Sequence, residues 1–181
     1  MSLVNLSVHV LPDGIDAETA SLVVYDIDQN LAHLGPVTIA GPCVAWRVGE
    51  SYGGPTLTAP IDLDPSRDWL VRCDRVDFPP GGVAYRHTHP GPGIRVLLHG
   101  GIRIESAGLT HDYGPFEPWF ENGPEPVFAQ ASATSETAFV RAMLLPREWE
   151  GRRTISYVDV ADAAKPKTQR ATVFLEAPIE L

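Results

Sequence analysis

Two histidines separated by one residue, His87 and His89, have the side-chain types and spacing best suited to chemistry in this chain. They follow a Pro/Gly-rich turn, in a segment whose composition is typical of a strand. Because side chains alternate between the two faces of a strand, both imidazoles point to the same side. Two adjacent imidazoles provide half of a transition-metal site. The alternative is that both are polar residues on a solvated strand face.

The elements that must position this histidine pair are short strands. The chain holds 16 glycines and 17 prolines, and turn signals recur at short intervals along it. Alternating apolar runs flank the pair, and helical periodicity is nearly absent. The predicted strands around the pair include residues 69–78, 83–89, 94–99, 102–105 and 137–145. This pattern predicts an antiparallel β-sandwich or small barrel.

The totals describe an ordinary globular chain. Its 181 residues are 44% hydrophobic and 20% charged, which predicts one domain over residues 1–181, with an N-terminal arm at 1–20 and a C-terminal tail at 154–181. The formal net charge is −9, and no cluster of basic and aromatic residues stands out, which argues against a nucleic-acid partner. Neither a signal peptide nor a membrane-length apolar run is present, so we expect a cytoplasmic protein without a membrane partner.

The two cysteines do not form a recognisable site. Cys43 and Cys73 are far apart in sequence, and neither has a second cysteine nearby. That spacing fits neither a zinc motif nor a disulfide framework, so both are interpreted as reduced thiols.

Two segments around the histidine pair resemble the motifs of the cupin superfamily. The first motif is similar to a segment that begins at Gly81. Five residues separate this glycine from His87-Thr88-His89-Pro90-Gly91, and a strand that ends at Gly100 follows. The region from Gly114-Pro115 to Phe128 is similar to the second. The resemblance implies an all-β, cupin-like double-stranded β-helix, or jelly-roll barrel, with extra terminal strands around a motif core at about 70–145. It also implies a divalent metal ion (Fe, Mn, Ni or Zn) held by His, His, Glu and His.

The chain departs from that ligand set at two positions. Gly93 stands where the family's glutamate belongs, and Phe128 stands where its third histidine belongs. Only His87 and His89 carry over directly. Either other residues complete the site or metal binding has been lost.

Two residues are candidates to complete it. Glu121 lies on the strand that enters the second motif and offers oxygen ligands, so that His87, His89 and Glu121 would form the two-histidine, one-carboxylate set of non-haem iron oxygenases. The alternative for Glu121 is a surface carboxylate. His99, at a strand end, is the second candidate ligand. Of the remaining histidines, His111 is expected to be exposed, and His9 and His33 are expected at the surface.

Two further residues are candidates for contact with a substrate. Arg95 shares a strand face with Gly93 and is expected inside the barrel, where its planar guanidinium would bind a carboxylate. Tyr85 has the parity of the histidine pair and is expected to donate a hydrogen bond in the pocket, unless it is a half-buried barrel tyrosine. Trp119 and Phe128 are expected in an apolar wall suited to a small organic ligand.

Three functions follow from these residues. The first is a metal-dependent, dioxygenase-like enzyme that acts on a small organic substrate, such as one that bears a carboxylate. The second is a non-enzymatic small-molecule-binding barrel that has lost part of its metal site. The third is isomerase or hydrolase chemistry with Glu121 or His99 as the base. The apolar segment Val173-Phe174-Leu175 predicts a late strand that pairs with its own chain or with a second subunit. A homodimer is the expected assembly.

Overall fold

The structure is a computed structural model that describes residues 2–17, 22–49 and 54–180. Residues 1 and 18–20 of the predicted N-terminal arm lie outside this part of the chain. In chain order the strands are β1 Ser2–Leu11, β2 Ile15–Ala17, β3 Leu22–Asp26, β4 Leu31–Leu34, β5 Val37–Ile39, β6 Cys43–Val48, β7 Leu57–Leu63, β8 Trp69–Phe78, β9 Val83–Thr88, β10 Gly93–His99, β11 Ile102–Ser106, β12 Leu109–Tyr113, β13 Pro118–Glu121, β14 Val127–Ala131, β15 Thr137–Pro146, β16 Ser156–Tyr157 and β17 Arg170–Ile179. A 3₁₀ turn spans Arg147–Trp149, and one short helix, α1, spans Val160–Ala164.

Three five-stranded antiparallel sheets form the body of the protein. The N-terminal sheet has the order β4-β3-β6-β1-β7, and the central sheet has the order β13-β10-β15-β8-β17. The third sheet has the order β12-β11-β14-β9-β16, and β2 pairs separately with β5. The central and third sheets together make the jelly-roll barrel. The prediction of an all-β jelly-roll fold is therefore confirmed.

The central sheet is covered on both faces. All ten residues of β15 are buried. Val140 and Ala142 pack in one apolar cluster with residues of the N-terminal sheet, whereas Phe139 packs in a second cluster with residues of the third sheet. Burial on both faces explains why β15 is an almost continuous apolar run rather than an alternating one. Charged residues on these buried strands need a partner, because an unpaired buried charge is costly.

The N-terminal arm predicted at residues 1–20 is wrong, because a ten-residue strand occupies most of it. β1 pairs with β6 on one side and with β7 on the other. Its inward side chains, Leu6 and Val8, are almost fully buried. His9 on the same strand is half-buried, and burial lowers its pKa. The partners of β1 are distant in sequence, so local patterning gave little indication of this strand.

The C-terminal tail folds onto its own chain. β17 runs antiparallel to β8 along the edge of the central sheet, and the Phe174 ring lies 5.7 Å from the ring of Tyr25 in the N-terminal sheet. The late strand predicted at Val173-Phe174-Leu175 is present as part of β17, and a short β16 precedes it. No helix in the described ranges is long and apolar enough to cross a membrane.

Candidate functional site

A cavity of about 640 Å³ lies inside the jelly-roll barrel, between the central and third sheets. The chain from residue 151 to 176 closes one side of it. The polar residues that line it are Arg72, Asp74, His87, His89, Glu121, Arg141, Arg152, Arg153, Thr154, Gln169, Arg170 and Glu176. Its apolar wall includes Val76, Phe78, Ala84, Ile104, Val127, Ala129 and Phe139. The volume is within the range typical of small-molecule sites.

The histidine pair projects into this cavity from the end of β9, which holds His87, and from the residue after it, His89. His87 and His89 are both buried, with their ring centroids 4.9 Å apart. The pairing of β9 with β14 shifts register between the Ala84 and His87 positions. An extra residue at such a bulge breaks the alternation of faces. Ala84 and His87 therefore both line the cavity, while Tyr85 points away from it.

Tyr85 contacts the C-terminal segment instead of the cavity. The Lys165 ammonium lies 4.5 Å from the centre of its ring, and the Lys167 ammonium lies 5.9 Å from it. Cation–π contacts of this kind attach the tail to the outside of β9. The expectation that Tyr85 lines the pocket is wrong, because it assumed a regular strand.

Backbone carbonyls fix which ring nitrogen of each histidine carries the proton. His87 Nδ1 lies 2.6 Å from the Tyr85 carbonyl oxygen, and His89 Nδ1 lies 3.1 Å from that of Thr154. A carbonyl oxygen only accepts, so each Nδ1–H donates and each Nε2 keeps its lone pair. Burial lowers the pKa of His87, and burial together with Arg141 and Arg95 lowers the pKa of His89 well below its usual range. Both imidazoles are neutral at neutral pH.

A buried ion pair lies against this histidine pair. Arg141 donates from Nε and Nη2 to the two carboxylate oxygens of Asp74, at 2.6 and 3.1 Å. Its third nitrogen, Nη1, lies 3.3 Å from His89 Nε2 and donates to that lone pair. One guanidinium thus connects a carboxylate on β8 to the imidazole of the residue that follows β9. Sequence reasoning missed both Arg141 and Asp74.

Glu121 lies close to the histidine pair, as predicted, but both of its oxygens are occupied. Its Oε2 is 4.0 Å from His89 Nε2 and 2.6 Å from Arg95 Nη2. Its Oε1 accepts a hydrogen bond of 2.8 Å from Trp119 Nε1. Arg95 is completely buried and does not line the cavity. The carboxylate that Arg95 binds therefore belongs to the protein itself.

Gly93 makes room for this arrangement. A Cβ atom at Gly93 would lie 2.6 Å from the Ala142 carbonyl oxygen and 3.1 Å from Arg95 Nη1. Arg95 Nη1 donates to the Gly93 carbonyl oxygen at 2.7 Å, and burial lowers the pKa of Arg95 to about 10. The position at which the family carries a glutamate is closed to any side chain here.

Three other predicted residues lie outside the cavity. A register shift near the end of β10 leaves His99 exposed, with its Nε2 3.4 Å from Arg75 Nη2, so the inward orientation expected for it is wrong. Phe128 and Trp119 are not part of the cavity wall, which corrects that expectation as well. Val127, the residue opposite His87 on β14, faces the cavity in place of Phe128. His111 is exposed, as predicted, whereas His33 is half-buried.

The residues present do not fit the divalent metal that the resemblance implies. A metal bound to His89 Nε2 would lie about 2.0–2.1 Å from it, on the side that Arg141 Nη1 approaches. The nearest carboxylate, Glu121, is held by a guanidinium and an indole. Among the described residues, no group of three or more His, Cys, Asp or Glu side chains is arranged to hold a metal ion.

The lining concentrates positive charge in an acidic protein. Five arginines line the cavity against three carboxylates, whereas the whole chain has a formal charge of −9. Arg152, Arg153 and Arg170, named here the mouth arginines, are exposed, and none forms an ion pair with a carboxylate in the described residues. Charges gathered around a concave site with apolar walls favour an anionic ligand.

Comparisons with known proteins give structural similarity at low sequence identity. A structure of recombinant oxalate oxidase in complex with glycolate is 16% identical over 80% of this chain and 81% of its own length, with a TM-score of 0.42. A structure from work on the mechanism of oxalate oxidase is 14% identical over 75% of this chain and 82% of its own, with a TM-score of 0.39. No family model matches the chain, and no curated protein matches it.

Proposed function

We propose that this protein binds a small organic carboxylate in its barrel cavity and does so without a metal ion. The observation that carries the proposal is the position of Arg141, whose Nη1 lies beside His89 Nε2 inside the cavity. A guanidinium there supplies the positive charge that the implied metal would supply. It is also a good partner for a carboxylate, because it is planar and always charged.

The surroundings of Arg141 support an anionic ligand. Asp74 occupies two of its nitrogens and holds the guanidinium plane, which leaves Nη1 as the nitrogen directed at the histidine pair. The mouth arginines add unpaired positive charge at the opening, where it would attract an anion from solution. The apolar wall would contact the rest of an organic ligand.

A metal-dependent, dioxygenase-like enzyme is the second candidate. Its supporting observation is the pair of hydrogen bonds from His87 Nδ1 and His89 Nδ1 to backbone carbonyls. Metal-binding histidines are oriented by bonds of this kind. The occupied oxygens of Glu121 and the guanidinium beside His89 argue against it.

Metal analysis combined with a thermal shift separates the two candidates. Metal content is measured by inductively coupled plasma mass spectrometry on the wild type and on His87→Ala/His89→Ala. The probe ligand is phenylpropanoate, a small aromatic carboxylate. The unfolding midpoint is then measured with and without this probe, before and after treatment with a chelator. We expect substoichiometric metal in both proteins and an equal ligand-induced shift before and after chelation. About one metal ion per wild-type chain, lost in the double variant, would instead support the enzyme.

A further inference from the structure

The buried ionic and imidazole groups of the cavity lining lie at the opposite end from most of its apolar wall, whereas Gln169 and the exposed Arg170 lie at the apolar end. Along β8 the cavity-facing side chains change from Arg72 and Asp74 to Val76 and Phe78. Strand geometry separates the levels of Asp74 and Phe78 by roughly 13 Å. A ligand lying along the strand would meet charge at one end and apolar surface at the other.

The neighbouring strands repeat this separation. On β15, Arg141 is opposite Asp74 and Phe139 is opposite Val76. On the third sheet, Ala129 is paired with both Ala84 and Ile104, at the apolar level. The lining changes from polar to apolar in the same direction on both sheets, so this change extends across the whole cavity.

An unpaired amide oxygen lies at the apolar end. Gln169 lines the cavity, and its Oε1 is shielded from solvent without a hydrogen-bond partner in the described residues. Its position follows from its neighbours. Thr168 Oγ1 accepts from Val83 N at the start of β9, and Arg170 pairs with Asp77 near the end of β8.

A buried acceptor without a donor is unusual, because nearly all buried polar groups are hydrogen-bonded. Phe78 and Ala84 line the same end of the cavity, and their side chains cannot donate a hydrogen bond. A ligand group with an O–H would satisfy it.

The geometry points to an aromatic carboxylic acid with a hydroxyl group at the end remote from the carboxylate. This inference rests on the proposed function and specifies its ligand. The carboxylate lies at Arg141 and the histidine pair, the ring packs against Phe78 and Phe139, and the hydroxyl donates to Gln169 Oε1. Gln169 is thus a specificity-determining residue.

Calorimetric titration with three related probes tests the inference. The probes are phenylpropanoate, its para-hydroxy derivative, and the corresponding neutral alcohol, para-hydroxyphenylpropanol. They are titrated into chelator-treated wild type, Gln169→Leu and the control Gln130→Leu, which changes an exposed glutamine on β14. We expect the hydroxy acid to bind wild type and control about tenfold more tightly than phenylpropanoate, since one hydrogen bond to a buried acceptor is of that order.

In Gln169→Leu the ratio of the affinities for the hydroxy acid and for phenylpropanoate should fall to about one, while the affinity for phenylpropanoate stays at its wild-type value. Equal affinities of the two acids for the wild type, or a tenfold preference that persists in Gln169→Leu, would overturn the inference and leave the proposed function intact. Absence of binding by both acids to the wild type would overturn both. Binding of the neutral alcohol as tightly as the hydroxy acid would overturn the assignment of the carboxylate. If Gln169→Leu does not fold, Gln169→Asn, which withdraws the amide from the ligand, should show the same loss of preference.

Discussion

Arg141 on β15 reaches across the barrel to His89, the residue that follows β9, with Nη1 of the arginine 3.3 Å from Nε2 of the histidine. This contact connects the two sheets at the polar end of the cavity. It joins a buried ion pair to a neutral imidazole whose other nitrogen is fixed by the Thr154 carbonyl. Protein groups therefore contact both ring nitrogens of His89.

Removing Arg141 alone should strongly destabilise the protein. Arg141→Met would leave Asp74 buried and unpaired, since the exposed fractions of the two side chains are only 8% and 2%. Breaking a buried pair from one side costs about 3–5 kcal/mol. We expect urea denaturation of Arg141→Met to show a loss of that size in the free energy of unfolding.

The double variant Arg141→Met/Asp74→Leu provides the control. Replacing both partners by apolar groups should recover most of the lost free energy, because no charge is left buried without a partner. Binding of phenylpropanoate should be lost in the double variant even though it is folded. A double variant as unstable as the single one would contradict this account of the pair.

The mouth arginines should govern the salt dependence of binding. Arg152→Gln/Arg153→Gln/Arg170→Gln removes three exposed positive charges and leaves the buried polar cluster in place. Screening weakens the attraction between exposed charges, so wild-type affinity for phenylpropanoate should fall as ionic strength rises. We expect the triple variant to bind more weakly at low salt and to respond less to added salt. Equal salt dependence in both proteins would show that these residues do not contact or attract the ligand.

Stability should decline when the pH falls below about 6.5, the ordinary pKa of histidine. Burial lowers the pKa of His87 and of His89, so the unfolded chain takes up protons that the folded chain does not. Their contribution is fully present above that pH and is lost as the pH falls toward the folded-state pKa values. Each histidine can contribute up to about 1.4 kcal/mol per pH unit in that window.

Urea denaturation between pH 5 and pH 7.5 measures this loss. His89→Gln should reduce the slope of unfolding free energy against pH, whereas His111→Asn, which changes an exposed histidine on β12, should keep the wild-type slope. An unchanged slope in His89→Gln would show that burial of this imidazole does not govern the acid sensitivity.

The fold and half of the site could be predicted from local pattern. Strand alternation and turn residues indicated an all-β barrel, and the spacing of His87 and His89 predicted side chains on the same side, which both line the cavity although His89 lies just beyond β9. Tyr85 and His99 could not be placed, because a register shift lies beside each of them and alternation fails there. Phe128 was predicted in the cavity wall, but its neighbour Val127 faces the cavity instead. A shift of one residue exchanges the two faces of a strand.

The ionic part of the site depends on contacts between distant residues. Arg141 and Asp74 are 67 positions apart, and nothing in sequence alone pairs them. A signal was nevertheless present, since both are charged residues within apolar strands, where an unpaired charge would be costly. Arg95 was correctly expected inside the barrel, but its partner Glu121 became evident only from the pairing of β10 with β13.

Calorimetric titration of phenylpropanoate into chelator-treated protein, and into the same protein incubated with Fe(II), tests the central claim most directly. If Arg141 and the mouth arginines provide the positive charge, the probe should bind both samples with the same affinity and about one site per chain. Binding confined to the iron-loaded sample would contradict the claim and identify the histidine pair as metal ligands.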